Sequence, residues 1–121
     1  MAVLGLHHAH VLCPPGGEAQ ARHFYVEQLG LRERPKPEAL RAQGGCWFAA
    51  PDGGEVHITP EPELGLHPRR HFALRVDDVA TMRRSLEAAG VRSEDAVEIP
   101  NVRRCYVFDP FGNKVELHEL T

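Results

Sequence analysis

The sequence predicts an α+β fold built from two copies of a βαβββ module, and three observations lead there. The chain repeats itself: Cys46 matches Cys105, Pro51 matches Pro110, Gly53 matches Gly112, His57 matches Glu116 and Ile58 matches Leu117. A looser likeness continues upstream, where Leu29-Gly30-Leu31 answers Ala89-Gly90-Val91 and a strand-like run from His8 answers one from His71. In each copy a helical period sits between runs that alternate apolar and polar, and each copy closes on a hairpin-type turn, Pro51-Asp52-Gly53-Gly54 or Asp109-Pro110-Phe111-Gly112. By length the chain of 121 residues is one domain, 1–121, with modules over about 4–60 and 69–121 joined by a proline-rich linker.

In the first copy, Leu4 to Cys13 alternates as a strand does, with His8 and His10 on one side and Ala9, Val11 and Cys13 on the other. Pro14-Pro15-Gly16-Gly17 breaks it. A helix is expected over Glu18 to Leu29, with Ala21, Phe24, Tyr25 and Leu29 on its apolar face and Gly30 as its stop. Leu31 to Arg34 reads as a short strand, Pro35 to Gln43 as a connector with a helical turn near Glu38 to Arg41, and Gly45 to Ala50 with Glu55 to Thr59 as a hairpin.

The stretch from Glu61 to Pro68 is the linker. His71 to Val76 then reads as a strand, Asp77-Asp78 as an N-cap, and Val79 to Ala89 as a helix burying Val79, Met82, Leu86 and Ala89. Ser93 to Ile99 is a weaker strand, and Val102 to Phe108 with Asn113 to Leu120 forms the final hairpin.

Composition narrows the class of function. Hydrophobic residues make up 42% of the chain and charged residues 26%, as in ordinary globular proteins. A net charge of -3 gives no bulk attraction to nucleic acid or anionic membrane, so neither is expected as a partner and a small molecule is. Cys13, Cys46 and Cys105 are widely spaced and odd in number, which suits reduced core thiols in a cytoplasmic protein. No window approaches a membrane span, and no basic stretch followed by a long apolar run opens the sequence.

Strand parity selects the candidate chemistry. If Val115 and Leu117 face the core, Glu116 faces the other way; by the same rule His57 leaves the side of Val56 and Ile58, and His71 and Arg75 leave the side of Phe72 and Leu74. A lone strand histidine is ordinarily a surface or hydrogen-bonded residue. Here imidazoles and a carboxylate recur at duplicated positions, a donor set suited to a divalent ion, with His8, His71 and Glu116 as metal ligands and His57 as a fourth ligand or a partner to one. His10, Arg75, Arg104 and Trp47 are the candidate substrate-contacting residues, an arginine fork suiting a carboxylate or phosphate and an indole an apolar surface. Trp47, Phe48 and Phe111 are candidates for a pocket floor, with packing the expected role of at least two of them.

These features together resemble the vicinal oxygen chelate superfamily, which includes glyoxalase I, fosfomycin-resistance thiol transferases, extradiol dioxygenases and bleomycin-resistance proteins. The likeness rests on the histidine opening the first strand, Phe24-Tyr25, Leu29-Gly30-Leu31, the His-x-Ala-x-x-Val-Asp-Asp run from His71 to Asp78, and Asp-Pro-Phe-Gly-Asn-Lys-Val-Glu-Leu from Asp109 to Leu117. It spans nearly the whole chain. The resemblance implies a cup-shaped curved mixed sheet with helices outside, completed by a homodimer, around a divalent ion such as Ni, Mn, Fe or Zn. It implies ligands from the first strand of each module and the last strand of the second, which are His8, His71 and Glu116. Metal-dependent glyoxalases commonly place a glutamate where this chain has His57. The dioxygenase pattern is matched at Tyr106, Asp109, Pro110, Gly112 and Glu116, but no histidine lies in the stretch from Val97 to Val102, and His10 or His118 would have to substitute.

The expected function is therefore a glyoxalase-family metal-dependent enzyme, of lyase, isomerase or dioxygenase type, in which the ion acts as a Lewis acid on adjacent oxygens of a small molecule and His57 and Tyr106 serve as catalytic groups. The alternative is a non-catalytic protein that binds or sequesters a small molecule, as bleomycin-resistance proteins do.

Overall fold

The computed structural model describes residues 1–120; the module boundary expected at Thr121 lies outside the described residues. The chain divides into two compact units, 1–64 and 65 onward, and the division falls within the proline-rich stretch. Each unit carries one four-stranded mixed sheet, so the fold is α+β.

In the first unit the strands are β1 (His8–Cys13), β2 (Arg32–Arg34), β3 (Cys46–Ala49) and β4 (Glu55–Pro60), in spatial order β1-β4-β3-β2. β1 runs parallel to β4, and the other pairs are antiparallel. The expected strand from Leu4 begins only at His8, because the ladder with β4 starts at the His8 and Glu55 pair. Upstream of it Val3, Leu4 and Leu6 are exposed. The expected single helix divides into α1 (Glu18–Arg22) and a π-helical segment, His23–Gln28. In that segment the Leu29 amide donates five residues back to the Phe24 carbonyl, and the neighbouring Phe24 and Tyr25 rings are both buried. The ring of Tyr25 stacks on Phe48, with centroids 5.3 Å apart, so Phe48 takes the packing role and belongs to the core. A 3-10 turn, Glu38–Gln43, leads to Gly45, where a Cβ would lie 2.0 Å from the Ile58 carbonyl oxygen; only glycine lets the chain pass β4 so closely.

The second unit repeats the order with β5 (His71–Arg75), α2 (Val79–Ala88), β6 (Ser93–Asp95), β7 (Val102–Phe108) and β8 (Lys114–Leu120), arranged β5-β8-β7-β6. β5 is parallel to β8, as β1 is to β4. Asp78 caps α2 by accepting from the Thr81 amide, as the sequence predicts. Val79 and Leu86 are buried, whereas Ala89 is exposed because α2 ends one residue earlier and Ala89 caps it. β6 stops at Asp95, and beyond it only Ile99 forms an isolated bridge, to Val102. The turn between β7 and β8 is locked by Asp109, whose Oδ1 accepts from the amides of Phe111 and Asn113 and whose Oδ2 accepts from the Asn113 side chain. Cys13, Cys46 and Cys105 are buried and free. Burial pushes the Cys46 thiol up to about 11 and raises that of Cys105, so both stay protonated apolar fillers.

Candidate metal centre

Period-two alternation sorts each sheet into a face that packs on its helix and a face that carries chemistry. In the first unit the register places His8 beside Glu55, His10 beside His57, Trp47 beside His57 and Arg34 beside Trp47. The rings form a column. His57 is stacked between Trp47, with centroids 4.0 Å apart and planes at 4°, and His8, at 3.9 Å and 15°. On the indole, the Arg34 guanidinium carbon lies 5.8 Å from the ring centroid. His57 is only 7% exposed, and its Nε2 sits 2.8 Å from Glu55 Oε1. Glu55 Oε2 in turn accepts from Arg34 at 2.5 Å.

This arrangement makes His57 a neutral imidazole. Burial lowers its proton affinity, the Glu55 hydrogen bond opposes that, and the neighbouring His8 adds to the lowering. Glu55 is held below the ordinary carboxylate range by the hydrogen bond from His57, and then by Arg34, against the effect of burial. With Nε2–H donated to Glu55, the Nδ1 lone pair of His57 is the one left to accept a proton or an ion. The other imidazoles are more open: His8 Nδ1 is 2.9 Å from His7 Nδ1, and His10 Nε2 is 2.7 Å from Thr59 Oγ1.

In the second unit the register places His71 beside Lys114, Tyr106 beside Glu116, and Arg75 and Arg104 both beside His118. His71 Nε2 lies 3.2 Å from Glu116 Oε1, and its ring meets Tyr106 edge-on at 5.3 Å. Glu116 is 8% exposed, and cationic or potentially cationic groups surround it. His118 Nδ1 is 2.8 Å from its Oε2, and Arg104 is 3.5 Å from its Oε1. Burial alone would raise the carboxyl; the hydrogen bond from His118 and the charge of Arg104 outweigh it and hold Glu116 below its ordinary value. Lys114 Nζ stands 4.0 Å over the Tyr106 ring.

Arg104 is less available to a substrate than its parity suggests. Its Nε and one terminal nitrogen donate to the Val97 carbonyl, and the other terminal nitrogen donates to Tyr106 Oη at 3.1 Å. Arg75 is exposed at the end of β5, on the face of His71.

The second unit also tests the donor set against a metal. His71 Nδ1 donates to the Arg69 carbonyl oxygen at 3.0 Å, and this orientation turns its Nε2 toward Glu116 Oε1. A proton on Nε2 joins the ring to the carboxylate, and a cation in its place would do the same. Donor atoms each about 2.1 Å from one divalent ion, at angles of about 90 to 109°, are separated by about 3.0 to 3.4 Å. The observed 3.2 Å lies inside that range, so this pair fits two positions on such an ion. Among the described residues no three His, Cys, Asp or Glu side chains form a ready ligand cluster. The candidate ligands lie in pairs, His8 stacked on His57 in the first unit and His71 beside Glu116 in the second.

Glu55 and His118 hold these candidate ligands; the sequence pattern offers His118 only as an acid–base substitute and Glu55 no role, yet each lies two positions from a candidate ligand on the same strand face, which the alternation rule makes visible.

The family model described as the glyoxalase/bleomycin resistance protein/dioxygenase superfamily matches residues 7–117. The chain belongs to that superfamily. A crystal structure of a glyoxalase family protein from Bacillus anthracis is 38% identical to this glyoxalase-superfamily chain, with a TM-score of 0.92, covering 100% of this chain and 98% of that one. Two more distant structures share the fold. A genomically encoded fosfomycin resistance protein from Listeria monocytogenes is 18% identical with a TM-score of 0.80, covering 99% and 96% of the two chains. An antibiotic binding protein from a Streptomyces species is 23% identical with a TM-score of 0.77, covering 100% and 99%. No curated protein matches the sequence. Among the described residues no helix is long and apolar enough to cross a membrane.

Proposed function

We propose that this glyoxalase-superfamily protein is a metal-dependent enzyme acting on a small molecule with adjacent oxygens, with His8, His71 and Glu116 as ligands of a divalent cation and His57 as a fourth ligand or a base. One observation supports the reading: His71, oriented by the Arg69 carbonyl, brings its Nε2 within 3.2 Å of Glu116 Oε1, the spacing of two donors on one ion. When bound, the ion supplies Lewis-acid stabilisation to an enolate or alkoxide developing on the substrate. The chain does the rest. Neutral His57, with Nε2–H committed to Glu55, accepts a proton at Nδ1. Tyr106, whose hydroxyl accepts from Arg104, donates its O–H to a substrate oxygen beside His71. His10 and Arg75 extend their faces of β1 and β5 toward the substrate, and Trp47 excludes water from one face of His57. We place the enzyme in the cytoplasm as a homodimer, consistent with three free thiols.

A second reading, a protein that binds an antibiotic-like molecule without chemistry, is favoured by the likeness to the Streptomyces antibiotic binding protein. Metal titration of the purified protein by calorimetry separates them. The enzyme reading expects a divalent ion to bind and to raise the melting temperature, with His71→Ala losing both effects. Unchanged metal affinity in His71→Ala would remove the proposal, and stabilisation by an aromatic antibiotic alone would favour the second reading.

A further inference from the structure

The geometry points to His118 as a positioning residue that decides which oxygen of Glu116 is offered to a metal. The inference rests on the metal reading above and goes beyond it, because His118 is not among the expected ligands. Glu116 and His118 leave β8 on the same face, two residues apart. The two carboxylate oxygens are divided between different partners. Oε2 is held by His118 Nδ1 at 2.8 Å, while Oε1 faces His71 Nε2 at 3.2 Å with Arg104 at 3.5 Å.

The terminal torsion of a glutamate is broad, so an untethered carboxylate presents either oxygen, or both, to a cation. Fixing Oε2 removes that freedom. Glu116 is then preset to bind through Oε1, on the side of His71 Nε2. The ring of His118 does not need to touch the ion, because the nitrogen nearest Glu116 is committed to the carboxylate.

The first unit carries the same device with the chemistry exchanged. At the matching position of β4 stands His57, and its Nε2 is held by a carboxylate, Glu55, two residues away on the same face and itself anchored by Arg34. An imidazole orients a carboxylate in one copy; a carboxylate orients an imidazole in the other. The two ties arise at different positions of the repeat, Glu55 two residues before His57 and His118 two residues after Glu116.

The test compares wild type with His118→Ala, His118→Leu and His118→Asn, titrating each with Mn2+ and with Zn2+ alone, and recording the melting temperature of the metal-free protein. Alanine and leucine should weaken affinity about 10- to 100-fold while the metal-free melting temperature stays close to wild type. Asparagine, whose side-chain N–H replaces the Nδ1 donor, should recover most of the loss. If wild type binds metal and all three variants bind it equally well, His118 has no positioning role and the metal reading stands. If asparagine fails like leucine, the ring serves packing, and the inference falls. If wild type binds neither ion, the functional reading falls and the inference falls with it.

Discussion

The two sheets share a backbone and differ in the chemistry they expose. Positions facing the helices keep similar side chains in both copies: Cys46 and Cys105, Val56 and Val115, Ile58 and Leu117 are all buried. On the opposite faces the matching positions diverge, so that His57 answers Glu116, Trp47 answers Tyr106, Glu55 answers Lys114 and Thr59 answers His118. The first unit builds an aromatic column around a neutral imidazole, and the second sets His118, Arg104 and His71 around a carboxylate held below its ordinary value. Packing restrains the buried face, because a lost methyl group there leaves a void. Nothing comparable restrains the open face, which is where the halves of one duplication acquired different donors.

The largest difference expected between the copies lies in their turns. Asp109 is buried and accepts from two backbone amides and one side-chain amide, whereas Asp52 at the matching turn is exposed and accepts from the Gly54 amide. Asp109→Ala should cost about 1–3 kcal/mol, because buried donors lose their acceptor, and Asp52→Ala at most about 1 kcal/mol. Urea denaturation of both variants measures this. Equal losses would mean that the two turns do the same job and that the asymmetry drawn here is wrong.

A smaller difference is expected in the response to acid. His57 has its proton affinity lowered from an ordinary 6.5, so below that pH the unfolded chain takes up its proton first. Its contribution is complete above 6.5 and is lost as pH falls through the lower folded value. Glu55 and Glu116 are lowered from 4.5, so their contributions are complete above that value and disappear in more acidic solution. Stability should therefore fall in two stages, the first carried by the first unit and the second by both. His57→Phe, which preserves the stack, should flatten the first stage, and Glu116→Gln should weaken the second. Urea midpoints collected from about pH 7.5 down to about pH 2.5 check this, and an unchanged slope between about 7.5 and 5.5 in His57→Phe would contradict it.

Much of this was legible beforehand. The duplication, both closing hairpins, the Asp78 cap and the faces of His8, His57, His71 and Glu116 follow from period-two alternation and turn chemistry, which are local. Features set by partners distant in sequence were not. β1 begins at His8 because that is where β4 meets it, and β6 ends at Asp95 because β7 pairs no further. The π register of His23–Gln28 satisfies two adjacent aromatic rings at once, a demand that an apolar stripe of ordinary helical period does not express. The stack of Trp47, His57 and His8 depended on a cross-strand register that no single strand specifies.

The central claim is that His71 and Glu116 face each other to share a cation. Anomalous diffraction from crystals grown with Mn2+ or Zn2+ tests it most directly. The account predicts an anomalous peak about 2.0–2.2 Å from both His71 Nε2 and Glu116 Oε1. A protein whose bound ions all lie elsewhere, with the His71 and Glu116 pair closed by a proton, would contradict it.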